Sequence, residues 1–330
     1  MQSNHRIKNQ ANYIYFLTSM LFFYFQLNMV IQNYFQTPNN IVHLVIRMFF
    51  FKLGEFFHEI IEIKYGRFSI IISFLVSILI IKYDNPILYF LFSFTLMKIR
   101  NTVSEQSSKK IKVLGRALGF ILAPFSNLVV YIIFLCFLYL GIFFYVENIK
   151  FRFIRINCVR NRKEIGYYAL MTLHHIHYFI YAYSVPILFI KRTIIPIYCI
   201  GIIFYCGWAA YNAYEAIITP SWKWFITGHI LAMLSLFMMF YFDNFYIELL
   251  GWFLTGLGGG TIYMLHNLVK TQNKFTKQDL LIAEGVGHVV GIGLWGVIIL
   301  YYSINYTFLA GAIVAVLVSI LSYILNLKEE

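Results

Sequence analysis

Carboxylates and imidazoles recur at helical spacing inside stretches that are otherwise apolar. Glu55, His58, Glu59 and Glu62 stand at i, i+3, i+4 and i+7, the spacing that puts four titratable groups on one helical face. Such a stripe suits proton or cation handling, because a carboxylic acid in apolar surroundings can take up and release a proton near neutral pH. The competing reading has Glu59 and Glu62 solvated at a helix end, pairing with Lys64 or Arg67. A second constellation runs Thr172-Leu-His174-His175-Ile-His177-Tyr178-Phe-Ile-Tyr181, with His174, His177, Tyr178 and Tyr181 on one face. Three histidines in four residues could bind a substrate, relay a proton or ligate a metal as neutral imidazoles. An interfacial belt of aromatic and polar side chains is the plainer alternative. Glu284 and His288 form a third pair, one turn apart among Gly285, Gly287, Gly291 and Gly293. They could share a proton, or only join two helices by a hydrogen bond. Arg100 could face a carboxylate, of a substrate or of Glu55, since guanidinium pairs with carboxylates in bidentate fashion. Glu215, beside Tyr211, Asn212 and Tyr214, suits the wall of a polar cavity. Glu105, His229 and His266 are further candidates.

The surroundings of these groups decide what they mean. Of the 330 residues 60% are hydrophobic and only 12% charged, and the mean hydropathy is +0.72. A water-soluble chain of this size has too little polar surface to cover so much apolar side chain. A bilayer lifts that limit, and admits only helices or a closed barrel because backbone polar groups must be satisfied internally. The apolar runs are helix-long and do not alternate, so the fold class expected is an all-α integral membrane protein. Runs fall at 12–34, 41–62, 68–83, 86–106, 112–125, 128–147, 166–190, 194–217, 222–241, 245–268, 279–301 and 304–326, about twelve transmembrane helices. Runs five and six are parted only by the turn chemistry of Pro124-Phe-Ser-Asn127.

The net charge of +12 is explained by the same topology. Arg6, Lys8, Lys64, Arg67, Lys109, Lys110 and Lys112 fall on one side. So do the cluster Lys150, Arg152, Arg155, Arg160, Arg162, Lys163 and, later, Lys223, Lys270, Lys274 and Lys277. Asp84, Asp243 and Glu248 fall on the other side, with Lys82, Lys191 and Arg192 as exceptions. By the positive-inside rule both termini are cytoplasmic, in the cell (inner) membrane. No nucleic-acid partner is expected. Cys136, Cys158, Cys199 and Cys206 form no C-x-x-C pair and read as reduced packing residues. Trp222 and Trp224 flank Lys223 as an interfacial anchor.

The basic stretch 148–165 divides the chain into an N-terminal six-helix bundle, 1–147, and a C-terminal one, 166–330. In each half a lysine-rich inside loop leads into a glycine-bearing run, with Gly115 and Gly119 in the first and Gly285 to Gly293 in the second. Duplication of this kind is common in secondary transporters. The chain at this point resembles a short, divergent member of the major facilitator superfamily. Tyr65, Gly66 and Arg67, with Lys64 before them, are similar to that family's loop between spans two and three, although Ile63 replaces its acidic residue. Arg100 lies where the family often has an intramembrane arginine, and Gly115, Gly119 and Ala123-Pro124 resemble its fifth-span motif. The segment Gly251 to Gly260 and the glycine-rich run after it match best. The resemblance implies a 6+6 bundle that works by alternating access. The histidines of run seven and Arg100 suggest a small polar or anionic substrate, and protons moving on the groups of runs two and seven would supply coupling. A monomer is expected, and the outward direction follows mostly from the resemblance. No cofactor and no resident metal are assigned, and no Walker A motif is present. An intramembrane metalloenzyme is the alternative, because Glu55-x-x-His58 has di-iron spacing, but no second Glu-x-x-His occurs. A scaffold or sensor without transport is a third option.

Overall fold

The computed structural model describes residues 2–36, 41–61, 67–83, 85–104, 107–125, 128–145, 162–192, 195–259, 265 and 277–327. Among them the regular structure is α-helical: α1 (Gln2–Gln36), α2 (Ile41–Ile60), α3 (Arg67–Lys82), α4 (Pro86–Ser104), α5 (Lys109–Leu122), α6 (Leu128–Tyr145), α7 (Arg162–Phe179), α8 (Ser184–Lys191), α9 (Cys199–Ile217), α10 (Trp222–Tyr241), α11 (Phe245–Gly259), α12 (Lys277–Tyr301) and α13 (Asn305–Leu327). Ser108 and Ser221 cap α5 and α10 by accepting from Ile111 N and Trp224 N. The split between runs five and six lies where the turn residues put it, between Leu122 and Leu128.

Four described segments are both long and apolar enough to cross a bilayer: Lys8–Gln32, Trp222–Tyr241, Asp279–Tyr301 and Asn305–Leu327. Among the other expected spans some helices are shorter, as α3 and α5 are, and some carry several charges. The α2 helix, for instance, holds Arg47, Lys52, Glu55 and Glu59. The faces agree with a lipid setting. On α13 the small residues Gly311, Ala312 and Ala315 are buried, while Ile313, Leu317, Ile320 and Ile324 point outward. Small residues at helix contacts and large apolar ones outside are the membrane pattern. Hydroxyls satisfy themselves within their own helix, as Thr18 Oγ1 does by donating to Ile14 O and Ser322 Oγ to Val318 O. The chain is a multi-pass membrane protein.

The chain divides into two compact units between α6 and α7. In the first, α1 packs on α5, α6, α4 and α2, α2 on α4, and α3 on α4 and α6. In the second, α7 packs on α12 and α13, α8 on α9, α9 on α11, and α10 on α11 and α13. The order of pairing is nearly the same in both. A close approach marks the likeness at residue level. A Cβ on Gly115 would lie 2.9 Å from Phe16 O and 3.0 Å from Ser19 Cβ, and one on Gly119 2.6 Å from Met20 O and 2.9 Å from Phe23 Cβ. In the second unit a Cβ on Gly287 would lie 2.6 Å from Thr172 O and 2.5 Å from His175 Cβ, and one on Gly291 3.2 Å from Ile176 Cα and 2.8 Å from Phe179 Cβ. The spacing of the facing residues is identical, so α5 on α1 and α12 on α7 are the same joint built twice.

Run seven differs from expectation. It is not one helix over 166–190 but two, α7 and α8, separated by a turn at 180–183. Ser184 N donates to Tyr181 O, and Ala182 N to Tyr178 O. Pro186 gives the local reason: it has no N–H for the carbonyl four residues back, and its ring crowds that carbonyl, so a helix coming from α7 cannot run through it. The break is buried, and it is tied across by Trp295 Nε1 of α12 and Thr307 Oγ1 of α13, which both donate to Ser184 Oγ.

Candidate functional site: two histidine clusters on α7

His174 and His177 lie one turn apart on α7, and His175 lies about 100° further round the helix. The three therefore serve two faces. On one face His174 Nδ1 is 2.7 Å from His229 Nε2 of α10. His229 Nδ1 donates to Phe225 O at 2.9 Å. The rings of His177 and His229 are 5.6 Å apart, and His177 also packs edge-on against Tyr181 at 5.4 Å. One nitrogen from each of His174, His177 and His229 lies within 4.8 Å of the others, and all three residues are buried. His177 is 1% exposed, and neither of its ring nitrogens has a hydrogen-bond partner.

On the other face His175 Nδ1 is 3.0 Å from His288 Nε2 of α12. Glu284 Oε1 lies 3.7 Å from His288 Nε2 and 4.0 Å from His175 Nε2. Gly287 and Gly291 bring α12 close enough to α7 for this contact. The Glu284–His288 pair expected from the sequence thus gains a third member. Two imidazoles and a carboxylate can hold one proton or pass it between α7 and α12.

In the first unit the stripe on α2 is only partly as expected. Glu55 is buried, but it is taken by Lys52 Nζ of the same helix at 2.5 Å, and Lys52 is only 2% exposed. His58 Nδ1 contacts its own helix at Glu55 O, and its Nε2 lies 2.7 Å from Asn101 Nδ2 on α4. Lys98 Nζ donates to His58 O at 2.9 Å. These contacts take Glu55 and His58 away from a ligand arrangement. Among the described residues the groups of three or more His, Cys, Asp or Glu with metal-ligand spacing are the two on α7. The di-iron reading of Glu55-x-x-His58 has no support.

Arg100 does not pair with Glu55. Its guanidinium lies over the rings of Phe22 at 5.0 Å and Phe23 at 5.9 Å, and its buried Nε has no hydrogen-bond partner. The Arg116 guanidinium also stands over the Phe23 ring, at 5.1 Å. Tyr181 is fully buried in the break after α7. Glu215 lies on α9. Tyr65, Gly66, Glu62, Glu105 and His266 fall outside the described residues, and Arg67 opens α3. Lys52, Lys98 and Asn101 were missed by the sequence reading. Lys52 had a visible signal, a bare lysine between Phe51 and Leu53 in an apolar run.

One exception to the charge pattern, Arg192, is ion-paired. Arg192, at the end of α8, donates through Nε to Glu248 Oε2 at 3.1 Å and through Nη2 to both Glu248 Oε1 and Asp243 Oδ1. Hydrogen bonding to Glu248 outweighs partial burial and, with Asp243, holds the guanidinium above its ordinary range.

The fold is similar to that of several solved membrane transporters. A crystal structure of the nucleoside transporter NupG matches with a TM-score of 0.70 at 10% identity, over 97% of this chain and 99% of that one. A bacterial metal transporter matches with a TM-score of 0.63 at 10% identity, over 97% and 98%. The human organic anion transporter MFSD10 (TETRAN) matches with a TM-score of 0.54 at 10% identity, over 96% and 99%. No family model and no curated protein matches the chain.

Proposed function

We propose that this chain is a secondary active transporter that moves a small polar or anionic molecule across the cell membrane by alternating access. Its two units act as six-helix halves, 1–147 and 166–330, joined by the basic cytoplasmic segment 148–165, and both termini are cytoplasmic. The observation that carries the reading is the buried histidine and carboxylate pair of clusters on either face of α7, just before a break in that span. Ionisable groups this deep are expensive in a bilayer and persist where they serve a pathway. Broken helices at membrane depth are a recurring feature of transporter binding sites.

Within that reading His175, Glu284 and His288 carry the coupling proton, because this cluster joins a carboxylate to imidazoles on two helices. Glu55 and His58 are the corresponding polar groups of the first unit. Arg100 and Arg116, stacked over Phe22 and Phe23, favour an anionic or polar solute. Outward transport is the direction we propose, in line with the family resemblance.

The test is a comparison of cells making the wild-type chain with cells making Glu284→Gln at equal membrane abundance. Polar metabolites are quantified in cytosol and medium. For at least one of them the medium-to-cytosol ratio is expected to differ by about 10-fold, with the size of that ratio following the imposed pH gradient. If no metabolite's distribution depends on the intact chain, the carrier reading fails.

A further inference from the structure

We propose that His174 and His177 of α7 and His229 of α10 form a binding site for a divalent late-transition-metal ion of the zinc, cobalt and nickel class. This goes beyond the transport reading and does not depend on it.

The first ground is the geometry. Three imidazoles from two helices present one nitrogen each within 4.8 Å of one another, and all are buried. A tetrahedral ion with Zn–N bonds of about 2.0 Å sets its ligand nitrogens about 3.3 Å apart. His174 Nδ1 and His229 Nε2, now 2.7 Å apart, would open slightly, and His177 would swing inward. These are ring rotations of the order of an ångström, with no change of backbone.

The second ground is an unmet valence. A neutral imidazole has one N–H and one lone pair, and in a dry site each wants a partner; leaving one unmet costs about 1–3 kcal/mol. His177 leaves both nitrogens unpartnered at 1% exposure. A histidine kept only for packing would be better replaced by leucine or phenylalanine. A metal ion accepts the lone pair that no neighbouring donor reaches.

The third ground is orientation. Metal-bound histidines almost always donate their other ring N–H to a carbonyl or carboxylate, which fixes the tautomer. His229 has that support: Nδ1–H goes to Phe225 O at 2.9 Å, and the lone pair is therefore on Nε2, aimed at His174.

The donor set names the class of ion. Three imidazoles and no carboxylate suit zinc, cobalt, nickel or copper(II), and disfavour magnesium and calcium, which take oxygen ligands. Three protein ligands leave a fourth position for water or a solute group. The neighbouring cluster of His175, Glu284 and His288 points around the other side of α7 and is kept separate in the test.

The experiment is a cobalt(II) titration of the purified full chain in detergent at pH 7.5, after stripping with a chelator. Tetrahedral cobalt bound by histidine gives visible d–d absorption. One equivalent per chain is expected to develop that absorption and to be displaced by zinc but not by magnesium. His177→Gln and His229→Gln, checked for an unchanged size-exclusion profile, should weaken cobalt binding at least about 100-fold, the upper end of what losing an outer-shell partner costs. His43→Gln, on the exposed side of α2, should leave it unchanged. Absence of the visible band from the wild-type chain overturns the site without recourse to any variant. Loss of cobalt binding in His288→Gln with retention in His177→Gln overturns it too, because the ion would then belong to the other cluster.

Discussion

At the scale of single residues, the buried charges on α2 carry the sharpest expectation. Lys52 and Glu55 lie 2.5 Å apart and are almost fully buried, so removing either one breaks a buried charge pair. Removing one partner of a buried pair typically costs about 3–5 kcal/mol, while replacing both with apolar groups is often neutral. Glu55→Gln should therefore lower the thermal midpoint in detergent markedly, and Lys52→Met with Glu55→Leu should restore most of it. A double variant destabilised by the sum of the two single changes would show that the pair is not coupled. Arg192 and Glu248 make a similar test at a span end. Arg192→Ala should destabilise by a few kcal/mol, because it strands the buried Glu248. Asp243→Asn should cost about 0–1 kcal/mol, since that carboxylate is exposed.

At the scale of elements, two joints and one break decide how the clusters are held. A methyl on Gly287 would sit 2.5 Å from His175 Cβ and 2.6 Å from Thr172 O, which α12 can relieve only by moving away from α7. Gly287→Ala should therefore destabilise by about 1–3 kcal/mol, in the range of overpacked cores. If the proposed proton coupling holds, it should also abolish transport by separating His288 from His175. Gly119→Ala, at the equivalent joint in the first unit, should destabilise comparably but leave the histidine clusters intact; transport and melting measured on both variants separate the two effects. At the break, Pro186→Ala returns an N–H and removes the clash with the carbonyl of Ala182. That variant should melt higher and transport more slowly, as expected where function needs a strained segment. A faster transporter would show that the break has no working role.

At the scale of the whole molecule, the repeated pairing order of the helices supports an origin by duplication, and the charge pattern supports an orientation. The orientation is open to direct measurement. In a cysteine-free background, Asp243→Cys should react with a membrane-impermeant maleimide in intact cells. Lys110→Cys should react only after permeabilisation. The reverse pattern would invert the topology and place the lysine loops outside. A metal-dependent rise in melting temperature would be a whole-molecule sign of the histidine site, because a ligand that binds only the folded chain stabilises it by mass action. Zinc should raise the midpoint of the wild-type chain but not that of His229→Gln.

Residue order along the chain determined the class of solvent, and hence the helical architecture. Apolar runs of membrane length, short basic loops and glycines at one-turn spacing are local properties, and each is set by nearest neighbours and by the bilayer. For the same reason it placed the split at Pro124 and the titratable groups on α2, α7 and α12. Folding decided who meets whom. His229 is more than fifty residues from His174, and nothing in its own neighbourhood marks it as the third imidazole. The pairing of Glu284 with His175 as well as His288 depends on two glycines that let α12 approach. Glu55 looked free to carry a proton, and turned out to be bound to Lys52 because both lie on the same buried face. Side-chain periodicity fixes a face and a depth, but only the packing of one helix on another fixes the distances between ionisable atoms, and it is those distances that make a proton relay or a metal site.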